Sequence, residues 1–226
     1  MSSVLEPPFD RSSRARLTLR VAGRFVTESL FDRLARAVCE ASCLPRKELY
    51  ESWEVARFTR RHVRGGRVVD LAAGHGLLAY ALLLLDDSSP AALCVDTRKP
   101  ASAGVLAATL ESRWPRLAGR VAYHEGSLDD VTLGPDDLVV SSHPCGALTD
   151  RVLDRAMGAR ARVAVLPCCH DLAAGDAGGL EGWMHGGLAI DAVRALRLRA
   201  AGYRVRTHRI PDAITPMNRL LLGEPA

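Results

Sequence analysis

The chain has 226 residues, of which 48% are hydrophobic, 25% charged and 5% aromatic. These proportions exclude a disordered, collagenous or coiled-coil protein and allow one sizeable core, or a core with a small extra lobe. The formal net charge of +4 is unevenly spread: residues 1–67 hold fourteen Arg and Lys against eight Asp and Glu, and the remainder hold sixteen against eighteen.

With 28 Arg to 2 Lys throughout, the excess of Arg reads as compositional bias and carries no nucleic-acid signal by itself. Residues 1–20, with Pro7 and Pro8, read as extended and lack the apolar stretch of a signal peptide. The longest apolar run, residues 77–85, is far short of the roughly 20 residues needed to cross a bilayer. Six cysteines fit no small secreted disulfide framework. The expectation is a cytoplasmic protein with reduced thiols and no membrane partner.

Apolar residues at three- and four-residue steps predict a helix over 27–43, with Leu30, Leu34, Ala37, Val38 and Ala41 inward. A second helix is expected over 46–62, closed by Gly65-Gly66. Arg57, Arg60, Arg61 and Arg64 crowd its end, either complementing the helix C-terminus or forming a substrate surface. Beyond Gly66 the pattern becomes strand–helix alternation. Strands are expected at 67–71, 91–96, 120–123, 137–141 and 162–166, with helices at 77–85, 101–113 and 148–157. A Gly-rich loop over 175–187 precedes an amphipathic helix at 188–201 and two strands at 203–208 and 218–222. The chain thus reads as an α/β protein with a Rossmann-like seven-stranded sheet, parallel except for the final hairpin, and helices on both faces. Residues 1–66 form an N-terminal helical extension and 67–226 the α/β domain.

The strongest motif is Val68-Val69-Asp70-Leu71-Ala72-Ala73-Gly74-His75-Gly76. A strand ends in a carboxylate, and a glycine turn leads into a helix whose free N–H groups face the turn. Twenty residues beyond Gly76 the second strand ends in Asp96, positioned to accept both hydroxyls of a ribose. A dinucleotide would need G-x-G-x-x-G, but the frame here has Ala72 first and Leu77 last. Asp70 would also repel a pyrophosphate, whereas it suits the ammonium group of a methionine moiety. The residues therefore favour S-adenosylmethionine (SAM) over NAD.

On these motifs, residues 68–223 resemble class I SAM-dependent methyltransferases. The resemblance implies strand order 3-2-1-4-5-7-6, with strand 7 antiparallel. It also implies that Asp70 and the Gly74–Gly76 loop face the methionine part and Asp96 the ribose. Ser127 and Leu128 would lie near the adenine, and Ser141, Ser142 and His143 beside the reactive methyl. Ala72 stands where the family often has Gly, which is tolerable if the backbone needs no positive φ. Ser142-His143-Pro144-Cys145-Gly146, Pro167-Cys168-Cys169-His170 and Thr215-Pro216-x-Asn218-Arg219 resemble a less-characterised methyltransferase group. More distantly they resemble tRNA acceptor-stem 2′-O-methyltransferases, with Asp171 where those have a second His.

His143/Cys145 and Cys168/His170 are i, i+2 pairs just beyond neighbouring strand ends, so four groups could converge near the methyl donor. Three readings stand. These residues, with Cys169, line the acceptor pocket and His143 is the general base; or they bind zinc, although the spacing matches no common motif and no metal is assigned; or they are buried packers. Asp150 and Asp171 are alternative bases, and the tryptophans suit core or lid packing. The functional expectation is SAM-dependent methyl transfer to an RNA or a small-molecule acceptor, with RNA favoured. A non-catalytic SAM-fold module is the rival from another class.

Overall fold

The computed structural model describes residues 9–226 and shows the strand–helix alternation building one seven-stranded sheet. The strands are β1 (Val68–Leu71), β2 (Ala92–Asp96), β3 (Val121–Glu125), β4 (Leu138–Ser142), β5 (Arg162–Leu166), β6 (Tyr203–Arg209) and β7 (Arg219–Pro225). Their order is β3-β2-β1-β4-β5-β7-β6, with β1 to β5 parallel. β7 is antiparallel to both β5 and β6, so the final hairpin is not the only antiparallel pairing. Burial explains the arrangement. Leu220, Leu221 and Leu222 of β7 are almost fully buried, whereas β6 carries Arg204, Arg206 and Arg209. The apolar strand takes the interior place and the charged one the edge, where cations discourage further strand pairing.

Among the described residues, six α-helices lie where the periodicity puts them: α1 (Leu30–Ala41), α2 (Arg46–His62), α3 (Leu77–Leu85), α4 (Ala101–Arg113), α5 (Ala147–Gly158) and α6 (Gly186–Ala200). α1 starts on Ser29, whose hydroxyl accepts the Asp32 N–H. α6 begins earlier than its apolar pattern because the His185 ring accepts the Gly187 N–H. Side chains alternate across the sheet as a period of two requires. Val68, Cys94, Leu138 and Val140 face one core shared with α1 to α4, while Val69, Val95, Val139 and Val165 face a second core against α5. Asp70 has the parity of Val68 and so points to the side covered by α2 and α3.

Pro7 and Pro8 lie outside the described residues. From Phe9 onward the segment expected to be extended is partly tied down. Leu17 is fully buried with its N–H on the Leu44 carbonyl, and Leu19–Arg24 forms a 3-10 helix. The arginines ending α2 divide. Arg60 is buried and bonds the Leu82 carbonyl, the Ser89 hydroxyl and Asp86, fastening α2 to the end of α3. Burial lowers its pKa to about 10. Arg57 pairs with Glu54, and Arg64 reaches Leu85 and Asp86. Among the described residues no helix is long and apolar enough to cross a membrane.

Candidate active site

Parallel strands bring their C-terminal ends to one edge of the sheet, and a cavity of about 360 Å³ opens there. That is within the roughly 300–1,000 Å³ of small-ligand sites. The β1–α3 turn contributes Asp70, Ala72 to His75, Leu77 and Leu78; β2 contributes Asp96; β4 and its following residue contribute Ser142 and His143. The remaining wall is α2, through Glu48, Glu51 and Ser52.

Asp70 and Asp96 line this one cavity, as the motif predicts. Asp70 is 2% exposed and its Oδ2 has no hydrogen-bond partner among the described residues. Burial pushes its pKa up to about 8; the Ala79 N–H opposes the shift and the charge of Asp96 adds to it. Asp96 is less enclosed, and its Oδ2 accepts the Gly74 N–H at 2.9 Å. The Ala73 N–H donates to the Val95 carbonyl at 3.0 Å, and the Tyr123 hydroxyl donates to the Gly74 carbonyl at 2.8 Å. The glycine turn is therefore braced by β2 and β3.

Gly74 and Gly76 have φ of +52° and +82°, and a Cβ on Gly76 would stand 3.0 Å from the Cys94 sulfur. Both factors select glycine at that position. Ala72 departs from expectation: its φ is +60°, so the position does need the left-handed region, at a cost of roughly 1–2 kcal/mol for an L-residue. Ser127 and Leu128 are not among the lining residues. Ser127 caps the 3-10 turn Leu128–Asp130, and Leu128 is buried in the second core.

The Cys/His group divides instead of converging. His143 also has positive φ, +66°, and its ring turns to α2, where Nε2 lies 2.6 Å from Glu51 Oε2. Glu51 is 1% exposed, and its other oxygen is 3.2 Å from Lys47 Nζ. Cys145, Cys168 and Cys169 form a separate cluster with all three sulfurs within 4.8 Å of one another. Burial, then the neighbouring sulfurs, push the Cys168 thiol up. His170 belongs to neither group; its Nε2 contacts Asp191, which also holds Arg194 and Arg219. The four-ligand zinc set of His143, Cys145, Cys168 and His170 is thus not assembled, because each ring is drawn to a carboxylate on a different helix.

Of the alternative bases, Asp150 is paired with Arg194 and Arg197, and Asp171 accepts the Ala173 and Ala174 amides. Trp114 is buried and Trp53 packs on Phe31, but Trp183 is 87% exposed on the loop before α6. Sequence reasoning missed Glu48, Glu51, Ser52 and Tyr123. The only trace of the first three is polar residues at i, i+3 and i+4 on an otherwise apolar stripe of α2. The ring of His75 also lines the cavity, with Nδ1 2.6 Å from the Ser102 hydroxyl. Burial lowers the pKa of His75 and raises that of Glu48.

Residues 48–175 match the family described as a methyltransferase domain. No curated protein matches the chain. Among solved structures, it is similar to an O-methyltransferase family protein from Burkholderia thailandensis, with a TM-score of 0.54, 18% identity and coverage of 93% of this chain and 63% of that one. It is also similar to the B. subtilis m1A22 tRNA methyltransferase TrmK, with a TM-score of 0.51, 13% identity and coverage of 78% and 65%. The chain thus spans slightly less than two thirds of either relative, and identities this low speak for the fold alone. The match over more than half the chain, on the sheet order observed, settles its affiliation: the chain belongs to the methyltransferase domain family and has its seven-stranded, Rossmann-like fold.

Proposed function

We propose that the chain transfers a methyl group from SAM to a hydroxyl-bearing acceptor, with Asp70 and Asp96 holding the donor and His143 acting as base. One observation carries this reading. A fully buried carboxylate oxygen on Asp70 lacks any partner among the described residues, in the wall of a cavity that Asp96 also lines. Burying an unpartnered carboxylate costs several kcal/mol unless it stays protonated or meets a cation. A ligand with an ammonium group and a ribose diol fits both acids, and a pyrophosphate fits neither.

When bound, SAM supplies an electrophilic methyl on a good leaving group. The protein's residues do the rest. Asp70 takes the ammonium group, Asp96 accepts from the ribose hydroxyls, and the Ala72–Gly76 turn brings backbone close to the ligand. Ser142 lies at the end of β4 beside His143. Glu51 as a carboxylate can only accept, so His143 Nε2 donates to it and Nδ1 keeps its lone pair. Nδ1 then removes the acceptor's hydroxyl proton, and Glu51 stabilises the resulting imidazolium. Residues 1–66 serve as a cap, because α2 supplies the wall that carries Glu51.

RNA is the acceptor class we favour. Arg11, Arg14, Arg16 and Arg20 are solvent-exposed, and Arg16 lies near enough to the cavity to depress the pKa of His75. Such a cationic margin suits a phosphate backbone. A small apolar acceptor is supported by a second cavity of about 400 Å³ whose lining includes Pro167, Leu188, Ala195 and Leu221. Transfer of labelled methyl from SAM to total cellular RNA, against transfer to a small-metabolite fraction, tests the choice. Incorporation into RNA is expected; label confined to the metabolites would overturn the RNA reading. No incorporation into either despite tight SAM binding would overturn the catalytic one.

A further inference from the structure

The loops that follow β4 and β5 are joined by more than proximity. The His143 N–H donates to the Leu166 carbonyl and the Gly146 N–H to the Cys169 carbonyl, both at 2.9 Å, so pairing continues past the strand ends. The upper loop is bent hard to achieve this. His143 has φ +66°, and Gly146 has φ 55° with ψ −128°, a region that side chains rarely enter. Strain of this kind persists where the surrounding structure enforces it, and it clusters at sites with work to do. Here the bend directs Cys145 at Cys168, with Sγ–Sγ 3.1 Å; Cys169 follows with its sulfur 3.6 Å from that of Cys168.

Three sulfurs from two separate loops within 4.8 Å are more than a disulfide needs and match the donor set of a soft cation. Around a tetrahedral zinc with bonds of about 2.3 Å, neighbouring thiolate sulfurs lie about 3.8 Å apart. Two of the observed spacings, 3.1 and 3.6 Å, fall slightly short of that value and the third lies within 4.8 Å, so small side-chain rotations that spread the sulfurs would accommodate the ion. Cys145 and Cys169 are exposed and Cys168 is buried, which gives an entry path on one side and a fixed floor on the other.

We propose that Cys145, Cys168 and Cys169 bind one zinc ion through three thiolates, leaving a fourth position open to solvent or to a ligand. The site ties the β4 and β5 loops together at the edge of the cavity that His143 lines, and it stands independently of the methyl-transfer reading. Each thiol gives up its proton on binding, and no electrons are transferred.

The test uses the untagged full chain, reduced with a phosphine and freed of metal, titrated with Zn²⁺ and separately with Co²⁺. One equivalent of zinc should bind, and cobalt should give the sulfur-to-metal charge-transfer absorption and d–d bands of a tetrahedral thiolate site. Zinc should protect three of the six thiols from a disulfide reagent, and a chelator should restore their reactivity. Cys145→Ala, Cys168→Ala and Cys169→Ala should each weaken binding at least 100-fold, while Cys43→Ser leaves it unchanged; near-ultraviolet circular dichroism checks that each variant is folded. Substoichiometric binding, binding that survives loss of Cys168, or thiols equally reactive with and without zinc would overturn the proposal. So would a Cys145–Cys168 disulfide that persists under the reductant.

Discussion

Ionising Asp70 inside its apolar surroundings should make SAM binding release a proton, and the size of that effect follows from its position. With a folded-state pKa of about 8 against an ordinary 3.8, the native protein holds one more proton than the unfolded chain across that interval. Stability therefore falls as pH rises from about 4 to 8 and is lowest above 8. At pH 7 about one molecule in eleven has Asp70 ionised, so forming the anion costs about 1.4 kcal/mol. A cationic ligand that needs the anion should bind roughly tenfold more tightly at pH 7 than at pH 6. Asp70 should contribute the release of about 0.9 proton at pH 7 and half a proton at pH 8, offset at pH 8 by about half a proton that the ligand's amino group takes up. Above that, affinity turns down as the ligand's own amino group, ordinarily near 7.7–8.0, loses its charge. Calorimetry with SAM in phosphate and in Tris, whose ionisation enthalpies differ, counts the protons. Glu48, Glu51, His75, Cys94, Asp96 and His143 surround the site, but all remain in Asp70→Asn, so the difference between the two proteins isolates Asp70. Asp70→Asn should bind more weakly and show only the descending limb. An identical pH slope in both proteins, or flat wild-type affinity between pH 6 and 7, would refute the assignment.

Asp96→Ala removes both the proposed ribose contact and the acceptor that anchors the Gly74 N–H. Two hydrogen bonds to a charged group predict a loss of roughly 3 kcal/mol, about 150-fold in SAM affinity by calorimetry. His143→Ala and Glu51→Gln should lower turnover by about 10²- to 10⁴-fold and leave SAM affinity within a few-fold, as single-turnover assays would report. If His143→Ala turns over normally, the base is elsewhere. Arg60→Ala removes the cation nearest the buried carboxylate of Asp86, which keeps Gly65, Ser88 and Arg64, and leaves the Leu82 carbonyl and Ser89 hydroxyl without their donor; it should cost about 2–3 kcal/mol in denaturant unfolding; a loss below about 1 kcal/mol would show that the pair contributes little.

Features set by short-range rules were legible in the sequence. α2, α3, α4 and β5 fall on the residues that periodicity and punctuation gave, because their apolar spacing and flanking Gly or Pro act over a few positions. The juxtaposition of the residues proposed to hold the donor was equally legible: Asp70, the glycine turn and Asp96 lie within 27 residues, and strand–turn–helix geometry brings them to one cavity. That of the residues proposed to serve the acceptor was not. Glu51 and His143 are 92 residues apart, and nothing local to either announces the contact. Convergence of His143, Cys145, Cys168 and His170 would need extended backbone past the strand ends, and His143 does not have it. Its positive φ turns the ring to one side of the loop and Cys145 to the other, so residues of equal parity part company. Ala72 failed for a related reason, since the turn demands a left-handed residue that a Cβ only discourages.

The helix that carries Glu51 is also the one that Arg60 bolts to the end of α3, the two side chains flanking its buried stripe from opposite sides. Leu49, Val55, Ala56 and Phe58 bury its stripe, Arg60 fixes its C-terminal half, and the same rigidity holds Glu51 against His143. A carboxylate–imidazole contact of 2.6 Å tolerates little displacement, whereas the apolar packing of α2 can loosen by a fraction of an ångström without unfolding the chain. Substitutions that only relax this packing, such as Val55→Ala, should therefore cost more in turnover than their loss of stability suggests. In Glu51→Gln, where the contact is already weakened, the same relaxation should cost little further. Additive effects of the two substitutions on turnover would show that α2 supports the fold without positioning the base.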